Sequence, residues 1–478
     1  MDHMEKLERG FAHERGCKPP KLWMAKWPLG LDILFKALKV SQEGYILKFF
    51  CSMVDQSGNT FVQDLLAVAG IDTVDPENIE AILSTNFSDY DLGLRPKTFH
   101  ALLGNGIFTQ DGAEWKDSRQ LLRPQSTLVD SIPEDGIVDL QPLFFKLTFE
   151  TTMFLLFGGH AANLNEITKQ ESTFSDAFNL AQDYLAERGR LGDLYWLFNG
   201  KRFRNACQIC HRIIDKAVAK ALEPPVAKGN DTNEEHEGSY VFIDALVKQT
   251  RDPIALRDQC LNVLLAGPDT TGCCLSWTIR LLSRHQPVLE RLRNEIEGVI
   301  GLGPAAELPT RDTLKRIPYL ALMARLPLKV LRLYPSVPVN SRAAIQMTTL
   351  PIGGGLDEKH PVFVKKGQAV GYCVYAMHRR KDIYGDDAEM FRPERWEGDE
   401  LKNIHPYAYL PFNGGPRVCL GQEFALLEAS YTVARLIQLF PRIEVPSTEP
   451  DAQIGDERQN LTLVVSCADG CVVSLHND

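Results

Sequence analysis

The stretch Phe412-Asn413-Gly414-Gly415-Pro416-Arg417-Val418-Cys419-Leu420-Gly421 decides how this chain reads. It sets one cysteine in a glycine-rich loop, with an arginine two residues before it and a glycine two residues after. A helical pattern follows at once in Glu423, Phe424, Ala425, Leu426, Leu427, Glu428 and Ala429. Gly414, Gly415 and Gly421 permit backbone angles that a Cβ forbids. Amides of the loop and of the first helical turn are placed to hydrogen-bond the sulfur and to lower its pKa. Arg417 offers a planar fork of donors to a carboxylate, and Phe412 is placed to cover a flat ring from the thiolate side. The pattern suits a metal-binding thiolate; a structural cysteine buried in a Gly/Pro loop is the plainer alternative.

Composition narrows the field. The 478 residues are 44% apolar, ample for a large core, and 24% charged, an ordinary share. The net charge is −10 and no dense Lys/Arg cluster occurs, which speaks against nucleic-acid binding. Eleven cysteines without a signal peptide point to free thiols in a reducing compartment. Cys207-x-x-Cys210-His211 has half the spacing of a zinc site, but no second ligand pair lies nearby. Its helical surroundings, Phe203 to Val218, favour a core role. Residues 1–16 are charged, and no run of about 20 mostly apolar residues is present, so neither an N-terminal anchor nor a spanning helix is expected. The polar stretch Lys228 to Gly238 reads as a solvated loop.

Helical periodicity covers Leu31 to Leu38, Asp75 to Leu83, Glu114 to Leu122, 139–157, 169–188, 286–300 and Gln422 to Phe440. One long helix is expected from Asp244 past Asp269 toward Arg284. Gly58-Asn59-Thr60-Phe61 reads as a hairpin turn, and strands are expected at Pro361 to Lys365, Gly367 to Tyr375, Leu461 to Ser466 and Gly470 to Leu475. The expected fold class is mainly α with small β-sheets, in one large domain spanning 1–478. Within the long helix, Ala266-Gly267-Pro268-Asp269-Thr270-Thr271-Gly272 predicts a kink, because Gly267 weakens and Pro268 removes intrahelical bonding. Asp269 and Thr270 place an acid beside a hydroxyl, fit for proton relay; a helix boundary capped by Asp-Thr is the other reading.

The cysteine loop matches the haem-ligating signature Phe-x-x-Gly-x-Arg-x-Cys-x-Gly of the cytochrome P450 family at every fixed position. Ala266 to Gly272 resembles that family's oxygen-activating helix, with Pro268 at the variable position. Trp115-x-x-x-Arg119 resembles its propionate-binding helix, although a cation–π pair would look the same. Arg342 matches a further propionate position, and Phe391-Arg392-Pro393-Glu394-Arg395-Trp396 its structural segment. The wording of Leu333 to Pro338, Met377 to Gly385 and Asp139 to Phe145 resembles the fungal branch that hydroxylates n-alkanes and fatty acids. The resemblance runs from about Cys17 to the C-terminus.

The resemblance implies a haem-thiolate monooxygenase with haem b, Cys419 as the iron ligand, and Arg417, Trp115, Arg119, Arg342 and Phe412 around the cofactor. A thiolate ligand favours O–O cleavage, with Asp269 and Thr270 supplying protons to the oxygen. Leu265, Ala266, Val337, Val339 and Asn340 are the expected substrate walls. The partners implied are O2, a small apolar substrate, and an NADPH–cytochrome reductase whose flavins pass electrons from the cysteine side. The family's place is the endoplasmic reticulum membrane; lacking the anchor, this chain would reach it through a peripheral apolar patch or stay in the cytoplasm.

Besides the missing anchor, two regions depart from the family pattern. The family's Glu-x-x-Arg pair reads Lys329-x-x-Arg332 here, so Lys329, Arg332 and Arg395 would place three cations where one anion should bridge two. Losing one partner of a buried pair costs about 3–5 kcal/mol. Pro327 falls where the family's helix is already running, and residues 321–329 look too long. The 126–138 segment looks short. These departures keep two alternatives open beside oxidation of a fungal secondary metabolite: a haem-binding relic without turnover, or a mis-assembled gene. A mature transcript encoding Lys329 would exclude the last.

Overall fold

Short β-branched runs and long apolar helices divide the chain into a sheet-rich side and a helix-rich side that meet at one cavity. The computed structural model describes residues 2–23, 25–65, 68–111, 136–158, 171–223, 241–317, 326–449 and 453–477. A six-stranded sheet carries β1 (Lys21–Trp23), β2 (Thr60–Leu65), β3 (Val68–Thr73), β4 (Tyr90–Asp91), β5 (Val339–Ala344) and β6 (Ala369–Cys373). Their spatial order is β1-β2-β3-β6-β5-β4. β1/β2 and β3/β6 pair in parallel and the other pairs run antiparallel. Helices that contribute to the cavity include α1 (Arg95–Leu103), α2 (Leu140–Phe157), α3 (Glu171–Leu191), α4 (Pro253–Ala266), α5 (Pro268–Arg284), α6 (Leu326–Leu333) and α7 (Gln422–Leu439).

The expected long helix is corrected to three, Phe242–Val247, α4 and α5. Asp252 ends the first run and starts the next: its side chain accepts from Ile254 N–H at 2.9 Å, ahead of Pro253 at N1. Gly267 and Pro268 separate α4 from α5, as the predicted kink requires. Gly58 does not open a hairpin. It closes the helix Ile46–Ser57, its N–H bonded to Val54 O, at φ 90°, and the chain then enters β2. Leu461 to Ser466 is likewise a turn joining the short strands Gln459–Leu461 and Val465–Cys467, not one strand. The apolar run Leu461 to Val465 hides that turn because no glycine or proline marks it.

The centre of the core is α5, buried on all sides from Thr271 to Ser283. Small residues let its neighbours close in; a Cβ on Gly272 would sit 2.6 Å from the Phe145 ring of α2. The Trp277 ring stacks on Tyr334 with centroids 3.9 Å apart, and Trp277 Nε1–H donates to Val465 O at 3.1 Å. One carboxyl is trapped in this region. Glu428 on α7 is 8% exposed and hydrogen-bonds Thr151 of α2, and burial pushes its pKa to about 8. Cys207 and Cys210 lie buried in a second core cluster, burial pushing both thiols up to about 12, and no metal-binding group of side chains exists among the described residues.

Candidate functional site

Cys419 sits at the end of a loop whose path is fixed from four sides. Its own N–H donates to Phe412 O at 2.9 Å, closing the loop on itself. Gly415 takes φ 64°, and a Cβ there would fall 1.9 Å from Leu83 O, so only glycine fits. A second left-handed step is made by Asn413, at φ 62°, whose Oδ1 accepts from Tyr372 O–H at 3.1 Å. Gly414 is extended, and its missing side chain makes room for the Tyr407 ring. Gly421 has φ −85°, so the expectation of a forbidden angle holds at Gly415 alone of the three.

A buried histidine anchors the approach to this loop. Leu410 N–H donates to His378 Nε2 at 2.9 Å, while His378 Nδ1 lies 3.1 Å from Arg332 O and donates to it. Full burial beside Arg332 pushes the His378 pKa down to about 3, so the ring stays neutral and keeps its acceptor. Three residues after Cys419, α7 begins, with Gly421 at its N-cap.

Cys419 opens into a cavity of about 1920 Å³. Pockets for one ligand run to roughly 1,000 Å³, so this one has room for a macrocycle and a substrate together. Leu265, Ala266, Val337, Val339 and Asn340 all line it, as do Phe412, Arg342, Arg417 and Thr270. Thr270 Oγ–H donates to Ala266 O at 2.7 Å across the kink, and Ser336 Oγ–H donates to Thr270 O at 2.9 Å. Asp269 faces another way. Its carboxyl is buried against α3, hydrogen-bonded to Gln182 and close to Asp183, and burial raises its pKa to about 6. Neighbours on a helix diverge by about 100°, so acid and hydroxyl occupy different faces.

Three guanidinium groups converge on one edge of the cavity. Arg95 Nη2–H and Arg342 Nη1–H both donate to Asn340 Oδ1, at 2.5 and 3.2 Å. Arg417 Nη2–H donates to Gln110 O at 2.8 Å and pairs with Asp111 at 2.5 Å. Arg342 Nε is buried with no hydrogen-bond acceptor among the described residues. Burial, with Arg342 and Arg417 nearby, pushes the Arg95 pKa down to about 10. A surplus of buried positive charge and an orphaned donor beside an exposed thiol fit a dianionic ligand such as a haem with two propionates. Arg95 was absent from the sequence reading, because nothing local distinguishes Leu94-Arg95-Pro96 from any helix start. Trp115 and Arg119 lie outside the described residues.

The feared collision of cations at Lys329 is corrected in part. Arg332 donates to three carbonyls, of His378, Ala388 and Met390, at 2.9, 2.6 and 3.0 Å. Arg395 donates to Tyr384 O and Asp387 O and forms an ion pair with the Asp387 carboxylate at 2.7 Å. Asp387 thus supplies an anion that the sequence pattern did not reveal. Lys329 itself is 2% exposed on α6, and Pro327 stands in that helix's first turn, where proline is tolerated.

A family profile described as Cytochrome P450 matches residues 127–463. A cytochrome P450 of Arthroderma benhamiae is 57% identical over 97% of this chain and 93% of its own length. Cytochrome P450 52A1 of Candida tropicalis is 40% identical over 100% of this chain and 91% of its own. A cytochrome P450 monooxygenase, g430, of a Fusarium species is 37% identical over 96% of this chain and 84% of its own.

Proposed function

Since this chain belongs to the cytochrome P450 family of haem-dependent monooxygenases, we propose that it hydroxylates a long apolar chain, an n-alkane or a fatty acid, at or near the terminal carbon. The observation that carries the proposal is the long cavity, walled near Thr270 by Leu265, Ala266, Val337 and Val339, that leads from Cys419 to Leu38 and Val68 at the surface. Similarity to relatives of the 52A type across nearly the whole chain supports the same substrate class.

Cys419 would ligate the iron, Arg95, Arg342 and Arg417 would hold the propionates, and Phe412 would cover the ring beside the thiolate. The haem, when bound, supplies oxygen activation. Thr270 keeps its hydroxyl in the cavity, where it can pass a proton, while its bond to Ala266 O holds the kink open. Asp269, protonated over part of the physiological range, is placed to exchange protons with the α3 side and to feed that hydroxyl through a rotation of its side chain. The apolar walls exclude water and align the chain end. Electrons would come from an NADPH-dependent flavin reductase docking on the cysteine side. No helix among the described residues is long and apolar enough to cross a membrane. The exposed Leu22, Trp27, Leu29, Phe35 and Leu38 support a peripheral contact with the endoplasmic reticulum membrane.

Two measurements test the reading. The reduced protein with carbon monoxide should show the red-shifted Soret band of a thiolate-ligated haem, and its absence refutes Cys419 as ligand. Turnover of a panel of alkanes, fatty acids, alcohols and compact polycyclic compounds with the reductase should give terminal or near-terminal oxidation products of the chains. Oxidation confined to compact polycyclic compounds would refute the chain-substrate assignment.

A further inference from the structure

Resting on the reading that the substrate is a long apolar chain, we propose that Asp72 sets end-group preference: chains that end in a carboxylate bind more weakly than those that end in a hydroxyl or methyl. Asp72 lies within β3, between Phe61 of β2 and Gly371 of β6, and Gly371 in turn pairs with Ser341 of β5. Asp72, Gly371 and Ser341 all line the cavity, as does Val339 two residues before Ser341. Two strand spacings, roughly 10 Å, separate β5 from β3. Ser336, three residues before β5, donates to Thr270 O, so a dodecyl chain with one end near Thr270 that runs across β5 toward β3 would bring its other end to Asp72.

The carboxyl has a defined position and an unfilled hydrogen-bonding capacity. A Cβ on Gly371 would fall 2.3 Å from Asp72 Oδ1, so the carboxyl occupies the space that the glycine leaves. Oδ2 is buried with no hydrogen-bond donor among the described residues. The other acids along the cavity are spoken for: Asp91 accepts from Gly93 N–H, Glu187 pairs with Arg190, and Asp193 is exposed to solvent. The remaining cations at the walls are Lys366, which is exposed, and the Arg95, Arg342 and Arg417 group at the cofactor edge. Burial raises the Asp72 pKa to about 6, so above neutral pH the group is an anion without a counter-charge. A second carboxylate brought within about 5 Å, at an effective dielectric of about 20, should bind at least about tenfold more weakly. A hydroxyl or a methyl end carries no charge and meets no such repulsion.

The test uses the full haem-loaded chain, with dissociation constants for 1-dodecanol, dodecanoate and dodecane read by optical titration above neutral pH. The wild type should bind 1-dodecanol at least about tenfold more tightly than dodecanoate. Asp72→Asn and Asp72→Ser, the second guarding against a misfolded first, should each close that gap to about twofold, mainly by tightening dodecanoate, and leave dodecane unchanged. A gap that survives in both variants, or a wild type that prefers dodecanoate, overturns the assignment of Asp72 alone. Failure of all three probes to bind the wild type overturns the chain-substrate reading and the assignment together.

Discussion

Replacing Glu428 with glutamine should stabilise the protein, and by an amount that grows with pH. The carboxyl is 8% exposed at the contact of α7 with α2, and its folded pKa is about 8 against an ordinary 4.5. As pH climbs past 4.5 the unfolded chain releases this proton while the folded chain keeps it, so the folded state binds more protons and loses stability with rising pH. At 1.36 kcal/mol per pKa unit the cost is about 1 kcal/mol at pH 5 and about 3 kcal/mol at pH 7. Glutamine keeps the shape and a donor for Thr151 but does not titrate, so the variant escapes that cost. Urea midpoints followed by circular dichroism at pH 5, 6, 7 and 8 would measure the difference. A stability difference between the two proteins that stays flat across this range refutes the reasoning, because it would mean that Glu428 titrates alike in both states.

Further outcomes follow from the site. Thr270→Ala should lower turnover about 100-fold while substrate dissociation constants stay within about twofold, as stopped-flow and optical titration would show; an equal loss in binding would make Thr270 a substrate contact instead. Asp269→Asn should remove an inflection near pH 6 from the rate profile, the pKa that burial gives this acid; an unchanged profile excludes it from proton supply. Arg342→Leu should speed haem loss to a scavenger globin about tenfold or more, since the surviving propionate contacts are fewer; an unchanged rate removes Arg342 from cofactor binding. Lys329→Glu should raise the thermal midpoint by several degrees, because it places an anion one turn from Arg332, whose pKa burial and Arg395 push down to about 10; a lowered midpoint would show that the present arrangement needs the lysine.

The cysteine loop and the Gly267-Pro268 kink were legible because each is written in consecutive residues whose stereochemistry acts locally. The neighbouring features were not, for reasons that differ. Arg95, Arg342 and Arg417 come from segments up to about three hundred residues apart, and only the folded sheet and helix α1 bring them together. The anion beside Arg395 was sought at residue 329 by pattern, yet Asp387 provides it from a stretch with no fixed spacing to either partner. Asp269 and Thr270 are adjacent in sequence, yet a helix sends adjacent side chains to different faces. The two remaining breaks differ in kind: the polar run Lys248 to Asp252 ahead of Pro253 does mark a helix end and a new start, whereas at residues 461–465 apolar composition continues through the turn and tertiary packing sets where the strands stop.

The arginine cluster also bears on the life history of the chain. Before the cofactor arrives, the folded form must hold Arg95, Arg342 and Arg417 together with Asp111 as the nearest counter-charge. A dianion that fits this edge binds the native form and ignores the unfolded one, and it draws the chain toward the native form by mass action. If these arginines hold the propionates as proposed, porphyrin supply would bear on abundance as well as activity: chain made in excess of it would populate open forms exposed to proteases, and small oligoanions in the medium would compete for loading.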